Sequence, residues 1–404
     1  MENLTKPKIQ NVNVQHSYYQ GQPIFLIHNS LKLTKTAIAL PQALGPLAML
    51  CDGQHTIPEI ETTLVSQYGI NLSHREIESF LHQFDEALIL EGQKLAQAKQ
   101  QAVAAYRSAP FRKAALAGPS YPADPEKLRG LLQNYLDNVD PIQTASSDSR
   151  GIISPHIDYQ RGGHVYAQVW ANAAEAIREA ELVIIFGTDH NGGYRTLTLT
   201  PQNYASPLGV MPTDTKIVNR LVEVLGPEQA LAEELHHRDE WSIELDLVWL
   251  QYLRNEKPCP LVPILCGSFG QYMTGPARLA EEDKFKQVIE VLREEMSQRR
   301  TVVVASGDLA HLGPAFDGPP LDTTAYEKMK LDDALLMNTL GQGEGQAFSE
   351  FMKGQYERNV CGLSPFYFTL DLLGQTTGQI IAYDRCPADG NNTSFVSVCG
   401  MVFS

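Results

Sequence analysis

The stretch "RTVVVASGDLAHLG", residues 300–313, decides how the chain is read. Thr301 to Ala305 form a short, β-branched apolar run, the pattern of a strand buried on both faces. This run leads straight into Asp308 and His311, two groups that cost free energy to bury without a partner. Two other runs share the design. "GIISPHIDY" (151–159) ends in His156 and Asp158, and "ELVIIFGTDHNGG" (181–193) ends in Asp189 and His190. Ligands of open α/β sheets bind beyond the carboxyl ends of strands. Three apolar strands that each carry a histidine and an acid to that edge predict one shared site. There the groups satisfy one another or a metal.

Further candidate strands are "LVPILCG" (261–267), "QIIAYD" (379–384) and "SFVSVCGMVF" (394–403), with helical patterns such as "EDKFKQVIEVLREEMSQR" among them. Strand–helix alternation predicts an α/β sandwich with a mostly parallel or mixed sheet. The first part of the chain has a different texture. "QPIFLIH" reads as a short strand, and "LPQALGPLAMLCDG" follows with helical spacing. Two further helices open with capping-box pairs, Thr56 with Glu59 and Ser73 with Glu76. Three helices with a β-hairpin predict a small winged-helix-like domain. "QKLAQAKQQAVAAYRSAPFRKAA" (93–115) reads as an exposed helix and linker. The expected division is an interaction domain with its linker helix at 1–105 and an α/β domain at 106–404.

Composition narrows the function classes. A formal net charge of −15 argues against a nucleic-acid footprint, which needs a concentrated basic face. No apolar stretch approaches the ~20 residues that span a bilayer, and the polar N-terminus lacks a signal-peptide core. The six cysteines (51, 259, 266, 361, 386 and 399) are scattered without CxxC pairs. Reduced thiols in a cytoplasmic protein are therefore expected.

The site residues carry alternative readings. Asp308 could simply cap a helix starting at Leu309. His156 and His190 could be hydrogen-bonded core histidines, and Cys361, in "RNVCGLSPF", a small buried hydrophobe. Two histidines plus one anionic ligand otherwise suit Fe, Cu or Zn. In "HHRDEWSIELDLVWL" (236–250), Glu240 and Glu244 stand one turn apart and Ser242 lies near a helix start. A solvated acidic helix face is the competing reading. The adjacent His236 and His237 cannot point the same way on a helix. No Walker loop, GxGxxG or serine elbow is present.

Taken in order, the motifs from about residue 117 to 404 resemble the Memo family, also called AmmeMemoRadiSam system protein B. The pieces are "AGPSYPADPEKL", "SPHIDY", "FGTDH", "SPLGVMPTD", "EWSIELDLVWL", "VPILCG", "SGDLAHLG" and "NVCGLSPF". The resemblance implies a three-layer α/β/α fold like that of class III extradiol dioxygenases, which bind non-haem iron. It implies His156, His190 and Cys361 as metal ligands and His311 with Asp308 as the acid/base pair. Asp158, Tyr159, Asp189, Glu240, Ser242 and Glu244 become substrate-binding residues or partners of the ligands. Fe(II) ranks first; a cysteine where the dioxygenases have glutamate brings in copper, and zinc ranks last. The chain departs from the family pattern at Ile157 and Asp158, at Asp189, and at Trp241, where the family commonly has histidine. Separately, "LPQALGPLAMLCDGQHTIPEI" resembles PqqD-type domains, which recruit peptides by strand addition.

The implied function is a metal-dependent redox protein, an oxygenase or oxidoreductase acting on a small-molecule or peptide-borne substrate. The alternative is a non-catalytic metal- or peptide-binding adaptor working with a radical-SAM partner. A zinc hydrolase is the third reading. Neither nucleic acid nor membrane is an expected partner.

Overall fold

Alternate residues of "TVVVAS" face opposite sides of a sheet, and each side is covered by helices. The computed structural model describes residues 5–10, 12–140, 148–192, 197–275 and 282–404. The chain divides into two compact units, Met1–Ala109 and Pro110–Ser404.

The first unit begins with an antiparallel sheet of β1 (Val12–Tyr19), β2 (Gln22–Asn29) and β3 (Ile38–Pro41), in that order. The hairpin turns at Gln20 and Gly21, both with positive φ, the backbone that two-residue hairpin loops require. Helices α1 (Gly45–Leu50), α2 (Ile57–Tyr68), α3 (His74–Glu86) and α4 (Gln93–Ser108) follow. Both capping boxes form, Thr56 with Glu59 and Ser73 with Glu76. Ile27 and Leu40 of the sheet share one core with Leu47, Ile60, Leu64, Ile77, Leu81 and Phe84 of the helices. The stretch read as one helix over 40–53 is shorter than expected. Leu40 and Pro41 complete β3, and α1 starts only at Gly45.

The second unit opens with α5 (Pro125–Leu136), β4 (Gly151–Ser154), α6 (Tyr159–Asn172), α7 (Ala174–Glu179) and β5 (Leu182–Thr188). Next come β6 (Leu197–Leu199), β7 (Tyr204–Ser206), β8 (Gly209–Met211), α8 (Thr215–Leu225), α9 (Pro227–Ala230) and α10 (His236–Asp239). Then follow α11 (Ser242–Leu253), β9 (Leu261–Cys266), α12 (Gly270–Thr274), α13 (Asp283–Gln298), β10 (Thr301–Ser306) and β11 (His311–Leu312). The chain ends with α14 (Thr323–Gly341), α15 (Gly345–Lys353), α16 (Leu363–Leu373), β12 (Gly378–Pro387) and β13 (Phe395–Phe403). The main sheet runs β11-β13-β4-β10-β5-β9-β6, with β12 also paired to β13. Strands β4, β10, β5 and β9 are parallel; β13, β12, β11 and β6 are antiparallel additions. The mixed α/β sheet expected from the alternation is present.

Period 2 explains the layers. Val302, Val304, Val183 and Ile185 pack on one face with residues of α5, α6 and α11. Val303, Ala305, Ile184 and Phe186 pack on the other with α8, α13 and α16. Among the described residues, no helix is long and apolar enough to cross a membrane.

Ile184 is fully buried in the second of these clusters. Ile184→Ala is expected to destabilise the protein by about 2–5 kcal/mol, through lost burial and a residual cavity. Urea unfolding of both proteins measures it.

Candidate functional site

Strands β4, β10 and β5 are neighbours, and Ser306 at the end of β10 aligns with Ser154 of β4 and Gly187 of β5. The residues just beyond these positions therefore arrive at one edge. They line a cleft of about 970 Å³ that includes His156, His190, Trp241, Asp308, His311 and Cys361. Cys361 comes from the loop before α16. Gly307 permits that approach, since a Cβ there would lie 2.4 Å from the Gly362 Cα.

The buried polar groups are satisfied as the opening pattern demanded. Asp308 accepts the backbone N–H of His156 at 2.8 Å and of Ile157 at 3.3 Å. No helix starts at Leu309, so Asp308 instead fixes the chain leaving β4. The His156 Nδ1 donates to the Ser306 carbonyl at 3.2 Å. A carbonyl only accepts, so Nδ1 carries the proton and Nε2 a lone pair. The Cys361 thiol donates to that Nε2 at 3.1 Å and accepts from the Asp308 N–H at 3.3 Å. Burial holds His156 neutral, well below the usual imidazole range, and pushes the Cys361 thiol well up.

His190 is held from the other side. Its Nδ1 donates to Glu240 Oε1 at 3.0 Å and its backbone N–H to Oε2 at 2.9 Å. Glu240 also accepts the N–H groups of Trp241 and Ser242. Burial alone would raise the Glu240 pKa, but the His190 hydrogen bond and charge outweigh it, leaving a value of about 2. Trp241 stacks flat on His190, with ring centroids 4.2 Å apart. One ring nitrogen each of His156 and His190 and the Cys361 Sγ fall within 4.8 Å of one another. His311 lines the same cleft. Its Nδ1 donates to the Leu309 carbonyl at 3.1 Å, so the orienting partner is that carbonyl and not Asp308. Burial lowers its pKa, against the attraction of Asp308.

Several other sequence-marked residues serve the frame. Asp158 caps α6 and pairs with Arg161 at 2.7 Å on the cleft wall. Tyr159 is buried and donates to the Leu245 carbonyl. Asp189 turns away from the cleft to His236 Nδ1 at 2.7 Å. Ser242 donates to the Thr188 carbonyl at 2.8 Å and ties α11 to β5. Glu244 lies on no solvated face. It is fully buried and accepts from Arg112, Ala115, Leu116 and Tyr121. Arg112 stood in the stretch read as linker, yet it is buried and also donates to the carbonyls of His237 and Glu240. Nothing in that stretch, which also holds Arg107, marks Arg112 by period for burial. His236 and His237 do diverge, the latter between Tyr204 and Thr198.

The sequence profile described as Memo-like protein matches residues 112–402. This chain belongs to the Memo family. It is 22% identical over 407 residues to a MEMO1 family protein of Aquifex aeolicus, covering 98% of this chain and 100% of the relative. That match therefore takes in the N-terminal unit as well. It is 28% identical over 305 residues to one of Methanopyrus kandleri, covering 72% and 98% of the two chains. A Thermus thermophilus relative is 24% identical over 329 residues, covering 81% and 93%.

Below the strand ends of this Memo-family chain lies a buried acid that the motif reading passed over. Asp246 Oδ1 accepts from Ser154 Oγ at 2.6 Å, and Oδ2 has no partner. Burial raises its pKa to about 8, against the pull of its hydrogen bond from Ser154. Burial thus favours the protonated form of Asp246 near neutral pH. Its only signal was position, on the strongly apolar run "LDLVWL".

Two outcomes are expected. The folded state holds the Asp246 proton more tightly than the unfolded chain, so this group's contribution to stability is full below pH ~4. It falls as pH rises toward 8, by at most about 1.4 kcal/mol per pH unit. Asp246→Asn removes that component, which urea midpoints of both proteins from pH 4 to 8 will show as a flatter profile. Gly307→Ala is expected to cost about 1–3 kcal/mol by overpacking. A crystal structure of the variant should show the Cys361 loop displaced from His156.

Proposed function

We propose that this Memo-family protein is a metal-dependent redox protein that holds non-haem Fe(II), or copper, through His156 Nε2, His190 Nε2 and Cys361 Sγ. One observation carries the reading. Both histidines commit Nδ1 to fixed acceptors, Ser306 and Glu240, which leaves Nε2 of each ring as its position for a metal, and a nitrogen of each ring lies within 4.8 Å of the other and of the Cys361 sulfur. Acceptors behind a ligating imidazole fix its tautomer and orientation. The donor set suits a borderline or soft transition ion, with zinc the third choice. When bound, the metal supplies Lewis acidity and one-electron chemistry. The chain's own residues do the rest. His311, neutral near pH 7 because burial lowers its pKa, takes or returns a substrate proton at Nε2. Trp241 and Phe316 line the cleft with aromatic surface and limit water around it. Helices on both faces of the mixed sheet support the likeness to class III extradiol dioxygenases. A small-molecule or peptide-borne substrate then meets oxygenase or oxidoreductase chemistry.

The first unit favours a second reading, a peptide-binding adaptor that cooperates with a radical-SAM partner without turnover. Its β1 is an edge strand of a three-stranded sheet followed by helices, which supports the winged-helix/PqqD-like reading, and Tyr18 is 78% exposed. Unpaired strand edges accept extended peptides. Six free thiols support a reducing, cytoplasmic setting.

Metal analysis of protein purified without oxygen separates the readings. Wild type is expected to hold near-stoichiometric iron or copper. His156→Ala and Cys361→Ser are each expected to lower occupancy at least about tenfold. His311→Ala should keep the metal and lose oxygen consumption. Full metal content in both ligand variants would end the assignment.

A further inference from the structure

The two faces of the main sheet bury different kinds of aromatic residue. On the side of α5, α6 and α11 the core holds Tyr121, Tyr159, Tyr166, Trp170, Tyr204 and Trp249. Trp241 and Tyr252 pack against it, and no phenylalanine is among its described residues. The opposite core packs Phe186, Phe269, Phe285, Phe348, Phe366 and Phe368, with no tryptophan among its described residues. Packing alone does not ask for this difference. A buried phenylalanine needs no hydrogen-bond partner, whereas a buried hydroxyl or indole N–H that lacks one costs free energy. Tyr159 and Tyr166 meet the requirement by donating to the carbonyls of Leu245 and Ile157. Trp249 does not. It is fully buried, and its Nε1–H has no acceptor among the described residues.

The rings are also contiguous. Tyr166 stacks on Trp249 with centroids 6.3 Å and planes 11° apart. Tyr159 meets both edge-on, at 5.1 Å from Tyr166 and 6.3 Å from Trp249. Trp249 meets Tyr252 at 6.4 Å. Tyr252 is half-buried, and its hydroxyl donates at 2.7 Å to Gln133, exposed on α5. At the inner end, Ile157 and Leu245, whose carbonyls hold the two tyrosines, line the cleft. Trp241 packs against the same core and lies on the His190 ring. Phenol and indole give up one electron far more readily than the benzene ring of phenylalanine.

We propose that Trp241, the group Tyr159, Tyr166 and Trp249, and Tyr252 form a one-electron path between the cleft and the surface. The proposal rests on the redox reading of the cleft. An oxygen-derived one-electron oxidant stranded beside His190 takes its electron from Trp241 and not from the Cys361 sulfur. Each ring is refilled by the next. Tyr252 gives up the last electron and releases its phenolic proton to water. A soluble thiol then returns a hydrogen atom to Tyr252 and becomes a thiyl radical. In sum, the oxidant gains one electron, the thiol loses one, and one proton enters solvent.

Flash oxidation of the full-length protein from its surface tests the path. Asp137 is exposed and accepts from Gln133, the partner of Tyr252, at 2.7 Å. Asp137→Cys carries a ruthenium–bipyridyl photo-oxidant there, and the parent protein given the same treatment controls for label on Cys361. Illumination is expected to give a tryptophan radical in transient absorption. Peptide mass spectrometry should then find oxygen added to Trp241. Tyr252→Phe and Trp249→Phe, made in the labelled protein, should each abolish both signals. Tyr252→Phe removes one half-buried hydroxyl, so it keeps the test valid where Trp249→Phe fails to fold. No Trp241 oxidation in the labelled protein, or unchanged oxidation in folded Tyr252→Phe, would overturn the proposal. The flash supplies the oxidising equivalent, so this readout needs no bound metal. Metal content of the same sample reads the cleft assignment separately, which keeps the two failures distinguishable.

Discussion

A carboxylate cannot sit dry at the end of a buried strand without donors, and Asp308 is where this protein meets that constraint. Its Oδ1 takes two backbone N–H groups from the chain leaving β4, and its own N–H donates to the Cys361 sulfur. Three segments distant in sequence are thereby held at one edge. Once the 306–308 turn and the 154–157 turn are joined, the His156 ring has one place to go. It lies against the Ser306 carbonyl with Nε2 toward Cys361. The cleft follows from the need to satisfy polar groups where apolar strands stop.

The other half of the cleft obeys the same rule with a different acid. Glu240 collects four donors, and two of them belong to His190. An ionised carboxylate behind one histidine and a neutral carbonyl behind the other make the two rings electrostatically unequal. A ligand bound to both would see one more basic imidazole, on the Glu240 side. Trp241 adds stacking to that ring, so its plane is fixed from the edge and the face.

Beneath these groups, buried charge is compensated by design of the frame. Glu244 and Arg112 pair in the absence of solvent, and three more donors close the carboxylate's remaining positions. This links the segment that enters the second unit to the start of α11, directly behind Glu240. Asp246, two residues further on and on a different side of the helix, has no cation beside it, and burial raises its pKa to about 8. Neighbouring acids on one helix thus meet different surroundings, and only Glu244 finds a cation.

Much of this architecture was legible in the chain. The longer apolar strands of the main sheet, both capping boxes and the placement of His156, His190, Asp308 and His311 after β4, β5 and β10 are local properties, whereas the short strands β6, β7, β8 and β11 carry no such signal. The former follow from side-chain periodicity and from residues three or four apart. Cys361 was reached only through resemblance, since a lone cysteine before a helix has no pattern of its own. What tertiary structure alone decided was the partner of each polar group. Arg112 meets Glu244 across 132 residues, Asp189 chooses His236 over the cleft, and Arg358 has two donors without an acceptor among the described residues. A sequence shows which groups must be satisfied on burial. Which atom satisfies them depends on strand order and on side-chain directions at crossings between elements, and those exist only after the sheet has assembled.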